Sequence, residues 1–178
     1  PPEYFDFRER NKASAHVGAY TTGAMNLSAG EQPERVNAVF MTASMFQVLG
    51  VSPQLGQIFR EEHDIPNAEP VVLISHELWQ RSFAPDPAVV GRRVEIQGLQ
   101  RTILGIMPPG FDLHDARAQL WVPLGLNPAN RQNRGSHFLY LVGRLAPDVS
   151  TAQAKSDLER QLRSWRGVSP NHVPHDST

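Results

Sequence analysis

No stretch of this sequence stays apolar for long. The longest strongly apolar window, residues 36–51, is broken by Asn37, Thr42, Ser44 and Gln47. It falls short of the ~18 consecutive apolar residues that a membrane span needs. Elsewhere Gly and Pro cut the chain into short pieces. Apolar surface parcelled in this way is buried only when many short elements fold against one another. Pro1 stands where an initiator Met would, so the chain is expected to be a fragment or a processed product. No positively charged n-region and apolar h-region open it as a signal peptide would.

The 178 residues, 40 % of them hydrophobic, suffice for one domain or two small lobes. A chain of this size buries about 70 % of its unfolded surface, so the core needs no staples. Apolar content at this level with a net charge of −1 argues against disorder. The charge balance also argues against a dedicated nucleic-acid binder. Of the 17 basic residues only Lys12 and Lys155 are lysine, a bias we assign to coding in a GC-rich genome. There is no cysteine. That excludes a disulfide framework and any Cys-ligated zinc or iron–sulfur site. It fits an oxidising compartment and the cytosol equally.

The local patterns predict mixed elements. Residues 3–12 read as a helix opened by Pro2. Residues 16–28 and 34–43 read as strands joined by a turn over 30–33. The first alternates loosely through Val17, Ala19, Met25 and Leu27, and the second is apolar on both faces and central. Ser44 and Gln47 have capping-box spacing, and Gly50 ends that helix. Residues 51–56 read as a turn and 61–70 as a polar loop. Val71–Ile74 reads as a buried strand, and residues 75–83 as a helix packing Leu78, Trp79 and Phe83. Residues 92–97 and 100–107 read as a hairpin around Gly98-Leu99, with Gly placed for a type II′ turn. Pro108, Pro109 and Gly110 stop it. Residues 120–124 read as extended, 127–135 as a loop, and 137–145 as a strand with Phe138, Tyr140 and Val142 on one face. Ser150 and Gln153 form a second capping box. The helix that follows carries Ala154, Leu158, Leu162 and Trp165 on one stripe, and Gly167 ends it. Residues 168–178 read as a tail. Hairpins outnumber long crossovers, which favours an α+β fold over a doubly wound sheet.

The search for chemistry is mostly negative. Ser75, His76 and Glu77 are triad residue types, but a triad is spatial and no nucleophile elbow surrounds Ser75. A helix cap at Ser75, with Glu77 in the first turn, accounts for two of the three. His63 with Asp64 and His114 with Asp115 are metal-ligand types in loops, without helical zinc-site spacing. His172 and His175 lie in the tail, where weak adventitious nickel or zinc binding is the expectation. Arg92, Arg93 and Arg101 form one basic cluster, and Arg131 and Arg134 another. Neither interleaves with aromatics as a single-strand binder requires. No phosphate-binding glycine loop is present. Trp79, Trp121 and Trp165 sit among apolar residues and read as core. No catalytic, cofactor or metal residue is assigned from the sequence.

Six segments, in order, carry a resemblance. They are residues 43–59 (Ala-Ser-Met-Phe-Gln-Val-Leu-Gly-Val-Ser-Pro-Gln-Leu-Gly-Gln-Ile-Phe), 72–81 (Val-Leu-Ile-Ser-His-Glu-Leu-Trp-Gln-Arg) and 86–92 (Asp-Pro-Ala-Val-Val-Gly-Arg). Residues 103–111 (Ile-Leu-Gly-Ile-Met-Pro-Pro-Gly-Phe), 120–124 (Leu-Trp-Val-Pro-Leu) and 142–150 (Val-Gly-Arg-Leu-Ala-Pro-Asp-Val-Ser) complete the series. Over residues 2–166 the chain resembles the MacB-like periplasmic core domain of ABC-transporter permeases, of the acidobacterial-type permease group. The resemblance implies a domain outside the cytoplasmic membrane, between the first two transmembrane helices. It implies two lobes: a βαβ-rich, membrane-proximal lobe of residues 1–84 and 136–178, and an inserted, strand-rich lobe of residues 85–135. Implied partners are the permease's own transmembrane helices, a cytoplasmic ATPase subunit or domain acting at a distance, and a periplasmic adaptor in the exporter branch. No catalytic residue and no cofactor is implied. The family usually carries a strand before the first helix and another after the tail. Without them, open sheet edges are expected to favour self-association.

Two rival readings stand beside this one. A small-molecule or peptide sensor would need a concave apolar pocket. A soluble hydrolase would need Ser75, His76 or His137 to converge with shifted pKa values.

Overall fold

The computed structural model describes residues 2–10, 14–30, 32–127 and 139–168. The elements, in order, are α1 (Pro2–Arg10), β1 (Ser14–Ser28), β2 (Glu34–Met41), α2 (Met45–Leu49), β3 (Leu55–Gly56), β4 (Val71–Ile74), α3 (His76–Ser82), β5 (Arg93–Ile96), β6 (Leu99–Ile106), β7 (Leu120–Pro123), β8 (Tyr140–Leu145) and α4 (Thr151–Val168). The fold is α+β around one mixed sheet of eight strands, as the mixture of short elements predicts.

Six of the strands close on themselves. β1 pairs with β2, β2 with β7, β7 with β4, β4 with β6, β6 with β5, and β5 returns to β1. The β2–β7 and β4–β6 pairs are parallel and the others antiparallel. β3 attaches to β6, and β8 pairs with β1 outside the ring. The segment 85–135 thus contributes β5, β6 and β7 to the same ring as β1, β2 and β4.

Strand alternation sorts the side chains. Val36 and Ala38 of β2, Val72 and Ile74 of β4, and Leu120 and Val122 of β7 fill the ring interior with Leu27, Ile96 and Ile103. The intervening Val39, Met41, Val71, Leu73 and Trp121 face outward into a second core under α2 and the long connections, with Phe46, Phe59 and Met107. β2 and β4 are therefore apolar on both faces, which marks strands covered on both sides. Leu78 of α3 and Phe83 just after it close the interior core. A third cluster packs Tyr4 and Phe7 of α1 on Val17 and Ala19 of β1.

Local chemistry explains several boundaries. The Ser75 hydroxyl accepts from Leu78 N–H at 3.0 Å and caps α3. Gly50 ends α2 in the left-handed region, φ 65°. Ser150 and Gln153 form the expected reciprocal box at α4.

Four expectations are corrected. Ser44 makes no side-chain cap to α2, because its hydroxyl is spent on Tyr4 and Thr42 instead. The β5–β6 turn centres on Gln97-Gly98, both at positive φ (56° and 74°), with Ile96 facing Leu99. That is type I′ geometry, whose twist suits a two-residue hairpin. Residues 51–56 include a two-residue strand, β3. The α4 helix runs past Gly167, and Leu158 of its apolar stripe is 39 % exposed. Phe138 and nearly all of the loop 127–135 lie outside the described residues, as do the tail and the side chain of Trp165.

Gly105 shows where close packing fixes residue choice. A Cβ there would lie 2.7 Å from the Leu55 carbonyl oxygen and 2.9 Å from that of Gln57, both backbone atoms that cannot swing aside. Gly105→Ala is expected to lower stability by about 1–3 kcal/mol, the usual overpacking cost. Gly30→Ala, with nothing within 4 Å of its Cβ, is the control. It should stay within about 0.5 kcal/mol of wild type. Urea unfolding of both variants checks the pair.

Candidate functional site

The sequence-flagged polar residues do not converge. Ser75 caps α3. His76 Nδ1 faces the Gln54 amide, and its ring meets Trp79 edge-on at 5.6 Å between centroids. Glu77 accepts the Gly110 N–H at 3.0 Å, which holds its carboxyl below the usual range. The closest hydrogen bonds of the three go to different neighbours, Leu78, Gln54 and Gly110, although the Ser75 hydroxyl and His76 also act on the Glu77 carboxyl. His63 Nδ1 accepts the Arg60 N–H, and Asp64 points elsewhere. His114 lies beside Tyr20 and Tyr140. Among the described residues no group of three His, Asp or Glu could hold a metal. Trp121 is fully buried and Trp79 donates to the Asp86 carbonyl. His137, Arg131, Arg134, His172 and His175 lie outside the described residues.

An open cleft of about 500 Å³ lies between α3 and the connection leading to β7. Its volume suits a small ligand, and several of its polar groups are engaged with the protein itself. Asp112 accepts N–H groups from Leu113, Arg117 and Ala118. Asn37 donates to the Ala116 carbonyl oxygen. These bonds hold a connection in which His114, Asp115 and Arg117 all adopt positive φ.

The polar groups that do gather sit where α1 meets the ring. Tyr4 and Ser44 share a hydroxyl contact at 3.1 Å, and Ser44 meets Thr42 at 2.9 Å. Thr42 Oγ1 accepts the Ala19 N–H at 3.0 Å, and the Thr42 N–H donates to the Ala19 carbonyl at 2.9 Å. Arg8 pairs with Glu61 across the same joint. Asp64 then ties two strand ends together. Its Oδ2 accepts from Ala43 N–H at 2.9 Å, just after β2, and its Oδ1 accepts from Gly125 N–H at 2.8 Å, just after β7. Burial raises the Asp64 pKa, against the backbone donors that lower it. Sequence reasoning flags Asp64 only as a possible metal ligand. Its partners are backbone N–H groups, which leave no pattern in residue types.

β1 runs through this joint. Its first half pairs with β8 and its second with β2, and Tyr20 has a partner on both sides, Tyr140 and Met41. Tyr20 stacks on Tyr140 at 5.1 Å. Gly18 faces Met45 of α2 so closely that a Cβ would fall 3.1 Å from the Met45 Cα.

Asp64→Asn removes one of two acceptors, since an amide offers one oxygen and a nitrogen that repels the second N–H. The expected loss is about 1–3 kcal/mol, the cost of an unpaired buried donor. The sign of the pH dependence follows from the raised pKa. Wild type gains from Asp64 below the ordinary carboxylate range and loses that gain as pH rises through the raised value. The wild-type advantage over the variant should therefore narrow with rising pH, as read by urea unfolding across that window.

A family model covers most of the chain. The chain matches the MacB-like periplasmic core domain family over residues 1–161. No curated protein sequence matches significantly. The fold is similar to the periplasmic region of MacB from Actinobacillus actinomycetemcomitans (TM-score 0.70, 18 % identity, covering 91 % of this chain and 72 % of that one). It is also similar to the extracellular domain of the noncanonic ABC-type transporter YknZ from Gram-positive bacteria (TM-score 0.67, 16 % identity, 93 % and 83 % covered). The described residues contain no helix long and apolar enough to cross a membrane. On a match that spans most of its length, the chain belongs to the MacB-like periplasmic core domain family of ABC-type permeases.

Proposed function

We propose that this chain is the extracytoplasmic, periplasmic domain of an ABC-type efflux permease. It is non-catalytic and passes conformational change between the membrane helices and a partner or substrate outside. The observation that carries this reading is β1, one unbroken strand shared by the β8 pair and the ring. A displacement of α1 or β8 reaches the ring along its covalent backbone. The Ser75 hydroxyl caps α3 and the Glu77 carboxylate holds the Gly110 N–H, and these structural uses support a scaffold over a catalyst.

The motor in this reading is a cytoplasmic ATPase subunit or domain, felt only through the permease's transmembrane helices. A periplasmic adaptor is the candidate outer partner. In this reading residues 1–84 with 136–178 carry the membrane-proximal end, and residues 85–135 are inserted between them and complete the same ring of strands. The outer edge of β8 has no partner among the described residues, and Tyr140 on it is 55 % exposed. Such an edge invites pairing with a second copy. Light scattering at high concentration is expected to show dimer, and a strictly monomeric mass overturns that point.

Two measurements on the intact permease test the main reading. Ile65 is 51 % exposed and the chain has no cysteine. Ile65→Cys is expected to react with a membrane-impermeant maleimide in unlysed spheroplasts, and labelling only after lysis overturns the placement. A reducible bis-methanethiosulfonate linker between Arg8→Cys and Glu61→Cys should pin α1 to the ring. Export is expected to fall to background and return on reduction, whereas full export with complete linkage rejects transmission through this joint.

A further inference from the structure

The β5–β6 hairpin carries three arginines to which the described residues offer no acid. Arg92, Arg93 and Arg101 take no part in the ion pairs, which join Arg8, Arg81, Arg160 and Arg163 to carboxylates elsewhere. The Nε of Arg101 is buried with no hydrogen-bond partner. Burial lowers the pKa of its guanidinium, and no charged neighbour offsets the effect. A desolvated cation without a counter-charge is costly and calls for a partner. Two carboxylates approach this region. Glu95 lies on β5 itself, and Glu69 is bonded to the Thr102 hydroxyl at 3.3 Å. Neither pairs with an arginine.

The ring is also incomplete here. β1 pairs with β5 only through Glu95 and Ile96. Arg93 and Val94 have no strand on that side among the described residues. The gap opens into a cavity of about 330 Å³, lined by Ser28, Phe83, Arg92, Arg93, Glu95 and Gln100 among others. Register places the cations on both faces. Arg93 opposes Thr102 and Arg101 opposes Val94, so the two point to opposite sides of the hairpin. A single phosphate cannot bridge both faces. A polypeptide bearing several carboxylates can, and Leu99, 45 % exposed at the hairpin end, offers it an apolar contact.

We propose that this gap docks an acidic segment of a partner protein, extended along the free edge of β5 with its carboxylates on Arg92, Arg93 and Arg101. Backbone pairing at a sheet edge supplies affinity, and the flanking side chains select the sequence. The proposal does not depend on the transport reading and is tested on the 178-residue protein alone.

A fluorescent oligoglutamate peptide is titrated against the chain by anisotropy. Saturable binding is expected, weakening as salt rises. Arg92→Gln with Arg93→Gln should weaken it by about tenfold or more, and both positions are exposed, so the fold is preserved. Arg101→Lys retains charge but loses the planar fork, and is expected to weaken binding without loss of melting temperature. Arg117→Gln, on a remote connection, should change nothing. No binding, or binding indifferent to these arginines, overturns the proposal. So does full competition by inorganic phosphate, which would mark a small-anion site. Arginine-dependent co-sedimentation with phosphatidylglycerol vesicles in place of peptide binding would mark a lipid surface and overturn it equally.

Discussion

β1 makes two separate sets of backbone hydrogen bonds along its length, and the rest of the molecule is arranged around that double duty. Toward its start the partner is β8, and toward its end the partner is β2, with a short contact to β5. Its buried side chains divide in the same way. Val17 and Ala19 pack with α1, whereas Met25 and Leu27 enter the ring interior. A strand with two partners at different heights cannot slip in register without unpairing both, because a one-residue shift turns every side chain to the wrong face. The Thr42 hydroxyl takes the Ala19 N–H where β2 has ended, so the strand crosses the joint without an unpaired donor there.

The parallel pairs impose the next constraint. β2 with β7 and β4 with β6 cannot be joined by tight turns, because parallel neighbours require crossovers. The chain supplies these as long connections rather than long helices. Such connections stay ordered only if they bury anchors, and Phe46, Phe59 and Met107 do so on the outer face of the ring. Asp112 and Asp64 complete the anchoring by accepting backbone N–H groups that no strand satisfies. Fixed N–H donors in a partly buried place are a good reason for a carboxylate there.

Local signals made much of this legible. The continuous apolar run Val71–Ile74, the cap at Ser75, the left-handed Gly50 and the box at Ser150 involve residues a few positions apart, and each is found where the sequence places it. The failures are non-local. Ser44 has the spacing of a cap, yet its hydroxyl meets Tyr4, forty positions away in sequence. Closure of the ring rests on Leu27 facing Ile96, which no periodicity announces. The α4 stripe has helical spacing, but spacing cannot say whether anything covers it. The family resemblance was legible because it depends on the order of short motifs, not on contacts. The joint at Asp64 was not, because both of its partners are main chain.

Many of the buried polar side chains of this molecule are spent on its own backbone. A catalytic site holds buried polar side chains in reserve, aimed at a reacting atom and kept from their neighbours. Here the buried hydroxyls of Thr42 and Ser75 and both carboxylate oxygens of Asp64 are consumed by backbone N–H groups. They hold strand ends and a helix start in place. Side chains committed in this way brace the strand ends into one unit, although the buried Trp121 Nε1 has no hydrogen-bond partner among the described residues. Arginines in no ion pair among the described residues include the three of one hairpin beside an open sheet edge. A rim with uncommitted cations gives that unit something to grip.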